Sequence, residues 1–237
     1  TCGMLRMRLP AEPAEIERGV LALLSKNALT DRDAYVRVTV TGGPSDGPGG
    51  LERTGREGLF ILARGIEPAG VAPPQEGVEL AVSGIRRNPT SPLSGIKSGN
   101  TLESLSAFQD ARDRGCDDAV MLTTAGNLAE ASFSNLFMVK REELLTPDMG
   151  CGFLPGITRE AVIECALDGG VPVREVTEGL QTLMDSDEAF LTGSIKEITP
   201  VRRVGTRELA PCPGPVTRRL RRSFRELVAR ETGRRQA

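Results

Sequence analysis

Residues 128–139 read LAEASFSNLFMV, a run of small and apolar side chains interrupted by one acid, Glu130. Asn135 to Val139 has the composition of a short buried strand, and Glu130 falls in the small-residue turn that precedes it. Upstream, Ala119 to Thr123 reads as a strand closed by a turn at Ala125-Gly126. Downstream, a turn at Arg141-Glu142 leads into another short strand, Leu144 to Thr146. The pattern then changes. Gly156-Ile157-Thr158 opens a helix that runs through Ala161, Ile163 and Ala166 to a stop at Gly169-Gly170. Strands at Val171 to Val176, Glu188 to Thr192 and Ile198 to Val204 follow, with a short helix near Gly179 to Met184. A basic amphipathic helix spans Pro215 to Glu231. Strands and helices mix here without strict alternation, which predicts an α+β domain rather than a doubly wound sheet.

Working back toward the N-terminus, Pro13 with Ile16, Val20, Leu21, Leu23 and Leu24 spaces out an amphipathic helix that ends near Asn27. Tyr35, Arg37 and Thr39 then alternate with Val36, Val38 and Val40 as in a half-buried strand. Gly42 to Gly50 reads as a long surface loop. Strands at Leu59 to Ala63 and Val78 to Val82 flank the Pro-rich stretch Glu67 to Gly77. Asn88 to Gly95 (NPTSPLSG) reads as a connector. The expected organisation is therefore a small α/β domain over residues 1–88, a linker over 89–96, and a larger α+β domain over 97–237. Leu102, Leu105, Phe108 and Ala111 recur at helical spacing up to a stop at Gly115. Thr1 to Leu9 reads as the tail of a helix, so the small domain is expected to be incomplete at its start.

The chain has 237 residues, 39% hydrophobic and 26% charged, with a net charge of -2. Such a balance supplies no global attraction to nucleic acid or anionic lipid, and no apolar run approaches the length of a membrane span. Small-molecule partners are expected. The absence of histidine removes Ser-His-Asp triads, Cys-His dyads and His-ligated zinc together. Gly43-Pro44-Ser45-Asp46-Gly47 matches a nucleophile elbow by letter but has no base to serve it. The basic run Arg218, Arg219, Arg221, Arg222, Arg225 reads as a solvated helix face. Five scattered cysteines without a C-x-x-C pair predict reduced thiols and no metal, in a cytoplasmic protein.

Three segments together supply what pyridoxal phosphate requires: an amine for an imine bond, a carboxylate for the pyridine nitrogen, and donors for a dianionic phosphate. Lys97 stands in the small-residue segment SGIKSGN just before a helix. Glu130 is the acid of the turn described above. Gly156-Ile157-Thr158 offers backbone amides and a hydroxyl at a helix N-terminus, and Thr192-Gly193-Ser194 adds a second loop of this kind.

The segments IKSGNTLESL, LAEASFSNLFMV, LPGITREAV and FLTGSIKEITPV occur in the order, and at roughly the spacing, of the class IV (fold type IV) pyridoxal-phosphate enzymes. That family comprises branched-chain and D-amino-acid aminotransferases, (R)-selective amine transaminases and aminodeoxychorismate lyases. The chain resembles them over nearly its whole length. The resemblance implies two domains, the larger a pseudo-barrel, with the cofactor at their interface, and a homodimer acting on an amino acid and a 2-keto acid. By the same resemblance Lys97 carries the cofactor and moves the proton, and Glu130 holds the pyridine nitrogen. Ile157 and Thr158 bind the phosphate, Ser194 and Ile195 form its second clamp, and Tyr35 and Arg37 line the substrate pocket. It also implies a phosphate-binding arginine in an N-terminal segment, for which no residue here stands. The residues leave open a branched-chain-like aminotransferase, a lyase releasing pyruvate and 4-aminobenzoate from aminodeoxychorismate, or a non-catalytic cofactor-binding remnant.

Overall fold

Pro13 begins α1 (Pro13–Lys26) in the computed structural model, which describes residues 1–50, 52–67 and 74–233. Glu15 reaches back to accept the Glu12 amide at 3.1 Å, half of a capping box that fixes the helix start. Ahead of it, Thr1–Arg6 makes only turns, with the Leu5 amide donating to the Thr1 carbonyl. β1 (Ala34–Thr41) pairs antiparallel with β4 (Gly58–Gly65), setting Tyr35 opposite Arg64 and Val38 opposite Ile61. Opposed residues share a sheet face. Gly19 of α1 lies against Ile61, so the helix meets the valine face without burying it, Val38 staying exposed there, and Phe60 and Leu62 stay exposed on the face of Tyr35, Arg37 and Thr39. The expected loop after β1 contains a small hairpin, β2 (Ser45–Asp46) with β3 (Glu52–Arg53).

The chain divides into two units, Thr1–Ala72 and Pro73–Ala237. Composition places the division at residue 88, and the structure differs for a definite reason. β5 (Val78–Arg87) runs past the expected end at Val82 and pairs on both edges, with β12 (Glu197–Val204) and β6 (Asp118–Thr123). A strand paired on both edges belongs to the sheet it completes. The Pro-rich stretch before it lies largely outside the described residues.

The second unit is built on one nine-stranded mixed sheet. Its remaining strands are β7 (Leu128–Ala131), β8 (Asn135–Lys140), β9 (Glu143–Pro147), β10 (Val173–Val176), β11 (Glu188–Gly193) and β13 (Arg207–Glu208). The order is β10-β9-β8-β11-β12-β5-β6-β7, with β13 beside β12. Both faces of the central strands are covered. Leu136 and Met138 of β8 enter one apolar cluster with Leu128, Leu145, Leu183 and Leu191. The alternate residues Phe137 and Val139 enter another with Phe190, Val162, Leu220 and Phe224, where the rings of Phe137 and Phe190 stack at 5.0 Å. This second cluster is closed by α3 (Ile157–Asp168) and α5 (Pro215–Thr232). A short helix, α4 (Leu180–Met184), contributes Leu183 to the first. Among the described residues no helix is long and apolar enough to cross a membrane.

α2 (Leu102–Asp113) forms where the spacing places a helix, but of the four recurring residues Ala111 alone is fully buried. Its buried residues are Ser104, Ala107 and Ala111, set against Ala81, Ala119 and Met121. Leu102 and Leu105 are 69% and 52% exposed. The small side chains let the helix lie close on β5 and β6. The leucine stripe faces away.

Candidate functional site

Glu130 lies on β7 opposite Met121 of β6, on a strand rather than in the turn expected for it. It is 6% exposed. One carboxylate oxygen faces Arg87 Nη2 at 3.0 Å, and the other accepts the Leu154 amide at 3.4 Å. Burial pushes this carboxyl up to about 7, against the opposing pull of Arg87, the Leu154 amide and the nearby Lys97. Desolvation exceeds the attraction because a buried carboxylate loses most of its hydration and regains only part from its partners.

Lys97 is exposed and stands in an irregular segment between Gly95 and α2. Gly95 has φ of 74°, a conformation glycine adopts without the cost of a Cβ. A Cβ there would sit 3.4 Å from the Phe153 carbonyl, so the lysine segment lies against residues 153–155. The same stretch is anchored from below. Asn135 Nδ2 donates to the Leu154 carbonyl at 2.8 Å, while Leu154 N–H donates to Glu130. One residue, Leu154, therefore joins the acid to the loop that enters α3.

At the start of α3, Gly156 is the N-cap and no side chain caps the helix. The first amides, those of Ile157 and Thr158, keep their donors for an anion. Gly156 is required by contact rather than by dihedral angle, because a Cβ there would fall on the Asn135 amide oxygen. Thr158 is buried, whereas Ile157 is 74% exposed. Beside this helix end, Thr192 of β11 pairs with Asn135 of β8, and its Oγ1 is buried without a hydrogen-bond partner. Gly193 sits against Ser134, leading to the exposed Ser194 and Ile195. Asp118 accepts from the amide and the hydroxyl of Ser132, pinning the intervening turn. Burial raises this carboxyl, and the Ser132 and Ala119 donors draw it back.

Lys97, Glu130, Ile157, Thr158, Ser194 and Ile195 thus belong to one unit, connected through residues 153–156 and 134–135. Tyr35 and Arg37 stand in the other unit, Tyr35 beneath the Arg64 guanidinium at 5.0 Å and Arg37 exposed. Sequence reasoning gave no role to Arg87, Asn135 or Asp118. Each is marked by a long-range partner, which leaves no local signature. Chemically, the arrangement offers a buried carboxylate for a protonated aromatic nitrogen, a primary amine near it, and free amides with hydroxyls for a dianion. That donor set fits pyridoxal phosphate, and the orphaned Thr192 Oγ1 adds a polar group in want of a partner beside the anion-binding end.

A mixed sheet that unites these groups in one unit defines an α+β cofactor-binding enzyme class, and the comparisons with known proteins identify the family. The chain matches Amino-transferase class IV over residues 1–204; it belongs to that family. It is 32% identical over 234 residues to a branched-chain-amino-acid aminotransferase of Pseudomonas aeruginosa, covering 97% of this chain and 75% of that one. It is 37% identical over 162 residues to the branched-chain-amino-acid aminotransferase of Escherichia coli, covering 67% of this chain and 52% of that protein. The chain thus spans about half the length of the latter relative. Among solved structures, the PLP form of the Thermobaculum terrenum branched-chain amino acid aminotransferase superposes with a TM-score of 0.86 at 29% identity, over 99% of this chain and 75% of that one.

Proposed function

We propose that this chain works as a pyridoxal-phosphate-dependent aminotransferase, moving an amino group from a branched-chain-like amino acid to a 2-keto acid. The observation that carries the reading is the buried Glu130 carboxylate, paired with Arg87 and within electrostatic reach of Lys97. The relatives' names support the donor class, and Tyr35 and Arg37 are the candidates for its pocket.

When bound, pyridoxal phosphate supplies an aldehyde that takes the substrate amine and a ring that accepts the electrons released at the α-carbon. Lys97 Nζ would hold the cofactor at rest and, once freed by the substrate amine, would take and return the proton of the substrate α-carbon. Glu130 takes the carboxylate form against a protonated ring nitrogen. The amides of Ile157 and Thr158, with the Thr158 hydroxyl, bind the phosphate at the positive end of α3, and Ser194 with the Ile195 amide closes on its other side. A homodimer follows from the family resemblance and from the exposed Leu102 and Leu105 stripe, and light scattering that finds only monomer would exclude it. Five unpaired thiols support a cytoplasmic location, which fractionation of the source cells tests.

The decisive experiment adds pyridoxal phosphate, reduces with borohydride and maps the labelled peptide. Label on Lys97 that is lost in Lys97→Ala, with 2-keto acid formed from a branched-chain donor, is the expected result. Pyruvate released from aminodeoxychorismate without transamination would make the enzyme a lyase. Absent label, or label shared with Lys26, Lys140 and Lys196, would overturn the assignment.

A further inference from the structure

Arg87 ends β5 and reaches three elements at once. Its Nη1 donates to Glu103 at 3.2 Å and its Nη2 to Ser104 Oγ at 2.6 Å, both in the first turn of α2. The same Nη2 faces Glu130 on β7 at 3.0 Å. One guanidinium therefore ties the acid of the site to the helix that follows the Lys97 segment. The other oxygen of Glu130 is held by Leu154, so the carboxylate is gripped on one side by β5 and on the other by the loop that enters α3.

We propose that Arg87 is the positioning residue of this site, drawing Glu130 toward its carboxylate form and fixing it relative to the Lys97 segment. The proposal rests on the functional reading above for its consequence, though not for its test. A planar fork suits the task better than an ammonium, because it serves Glu130, Glu103 and Ser104 without changing orientation. The charged groups acting on Glu130 are Arg87 from β5, Lys97 from the segment before α2, and Glu103 from α2 by way of the shared guanidinium. β6 pairs with Glu130 through the uncharged Met121, and Leu154 contributes an amide alone. Glu103 is well exposed, so it draws on the guanidinium while keeping much of its own hydration.

The test is a carbon-detected NMR titration of the Glu130 carboxyl in the cofactor-free protein, with Glu130→Gln for assignment. Arg87→Gln should move the midpoint up by roughly 1–3 pH units, the usual effect of removing an adjacent opposite charge. Arg87→Lys should recover part of that shift. Glu103→Gln should lower the midpoint, because Glu130 is then the one carboxylate facing Arg87, and this exposed position decides the matter should Arg87→Gln fail to fold. A Glu130 midpoint that ignores both substitutions overturns the proposal. Borohydride labelling of the same proteins separates the two readings. Label at Lys97 with an unmoved Glu130 titration rejects the role of Arg87 and leaves the aminotransferase assignment standing. A moved titration without label at Lys97 rejects the aminotransferase assignment and leaves the Arg87–Glu130 coupling established.

Discussion

Glu130 shows how a single residue is balanced between burial and charge. Its carboxyl titrates at about 7 in the folded chain against an ordinary value of 4.5. Between those two pH values the native state holds a proton that the unfolded chain has released. Stability is therefore full below about 4.5 and falls as pH rises toward about 7, by roughly 3 kcal/mol from this group. Denaturant unfolding of the cofactor-free protein across that window should show the decline, and Glu130→Gln should flatten it. If the two proteins keep parallel profiles, the carboxyl is not raised. Gly156 is balanced by space instead. Asn135 cannot retreat from an added methyl without loosening its 2.8 Å bond to Leu154, so Gly156→Ala should cost roughly 1–3 kcal/mol and weaken the hold on pyridoxal phosphate. Thermal unfolding and a fluorescence titration with the cofactor measure both effects; a variant equal to wild type in each would show that the loop yields freely. Of these residues Glu130 is legible in the sequence as an acid among small neighbours. The need for glycine at 156 is not, because the obstructing side chain comes from β8.

At the scale of elements, α5 is capped from a distance. Its N-cap is Gly214 with no side chain, and Glu188 of β11 accepts the Val216 and Thr217 amides at 2.9 and 2.8 Å. A buried acceptor for two orphan donors at the positive end of a helix is a strong cap. Glu188→Ala should lose roughly 1–3 kcal/mol or more and speed hydrogen exchange at Val216 and Thr217, an effect absent elsewhere in α5. Uniform exchange along the helix would argue against a capping role. α2 illustrates the limit of periodicity. Of the residues recurring along it Leu102 and Leu105 are exposed, whereas Ala111, with Ala107 beside it, is under cover. Ala107→Leu should destabilise the chain by roughly 1–3 kcal/mol through overpacking against β5 and β6, read as a lower denaturation midpoint. A midpoint equal to wild type would mean that the contact has room to spare.

For the whole molecule, the two units differ sharply in what they bury. Among the described residues, the first unit contributes only Leu29 to the buried apolar set, and α1 has no buried residue. The second holds three apolar clusters of at least six buried residues and the groups proposed to bind the cofactor. Residues 73–237 should therefore fold when expressed alone, with dispersed amide NMR spectra, whereas residues 1–72 should not. Equal dispersion from both fragments would show that the first unit has a core of its own.

The sequence by itself determined the kinds and order of most elements, because apolar spacing and Gly or Pro punctuation are local properties of the chain. It also determined the family, since the segments around Lys97, Glu130, Gly156 and Ser194 each carry a recognisable local pattern. Tertiary structure alone decided that β5 belongs to the large sheet, that α2 turns its alanines inward, and that Arg87 and Leu154 converge on the acid while Asn135 holds Leu154. Those outcomes depend on the crossovers that set β5 between β12 and β6, and on the small side chains that allow α2 to approach. Contacts between distant segments are chosen by which surfaces exclude water and which polar groups find partners, and no short window of sequence contains both sides.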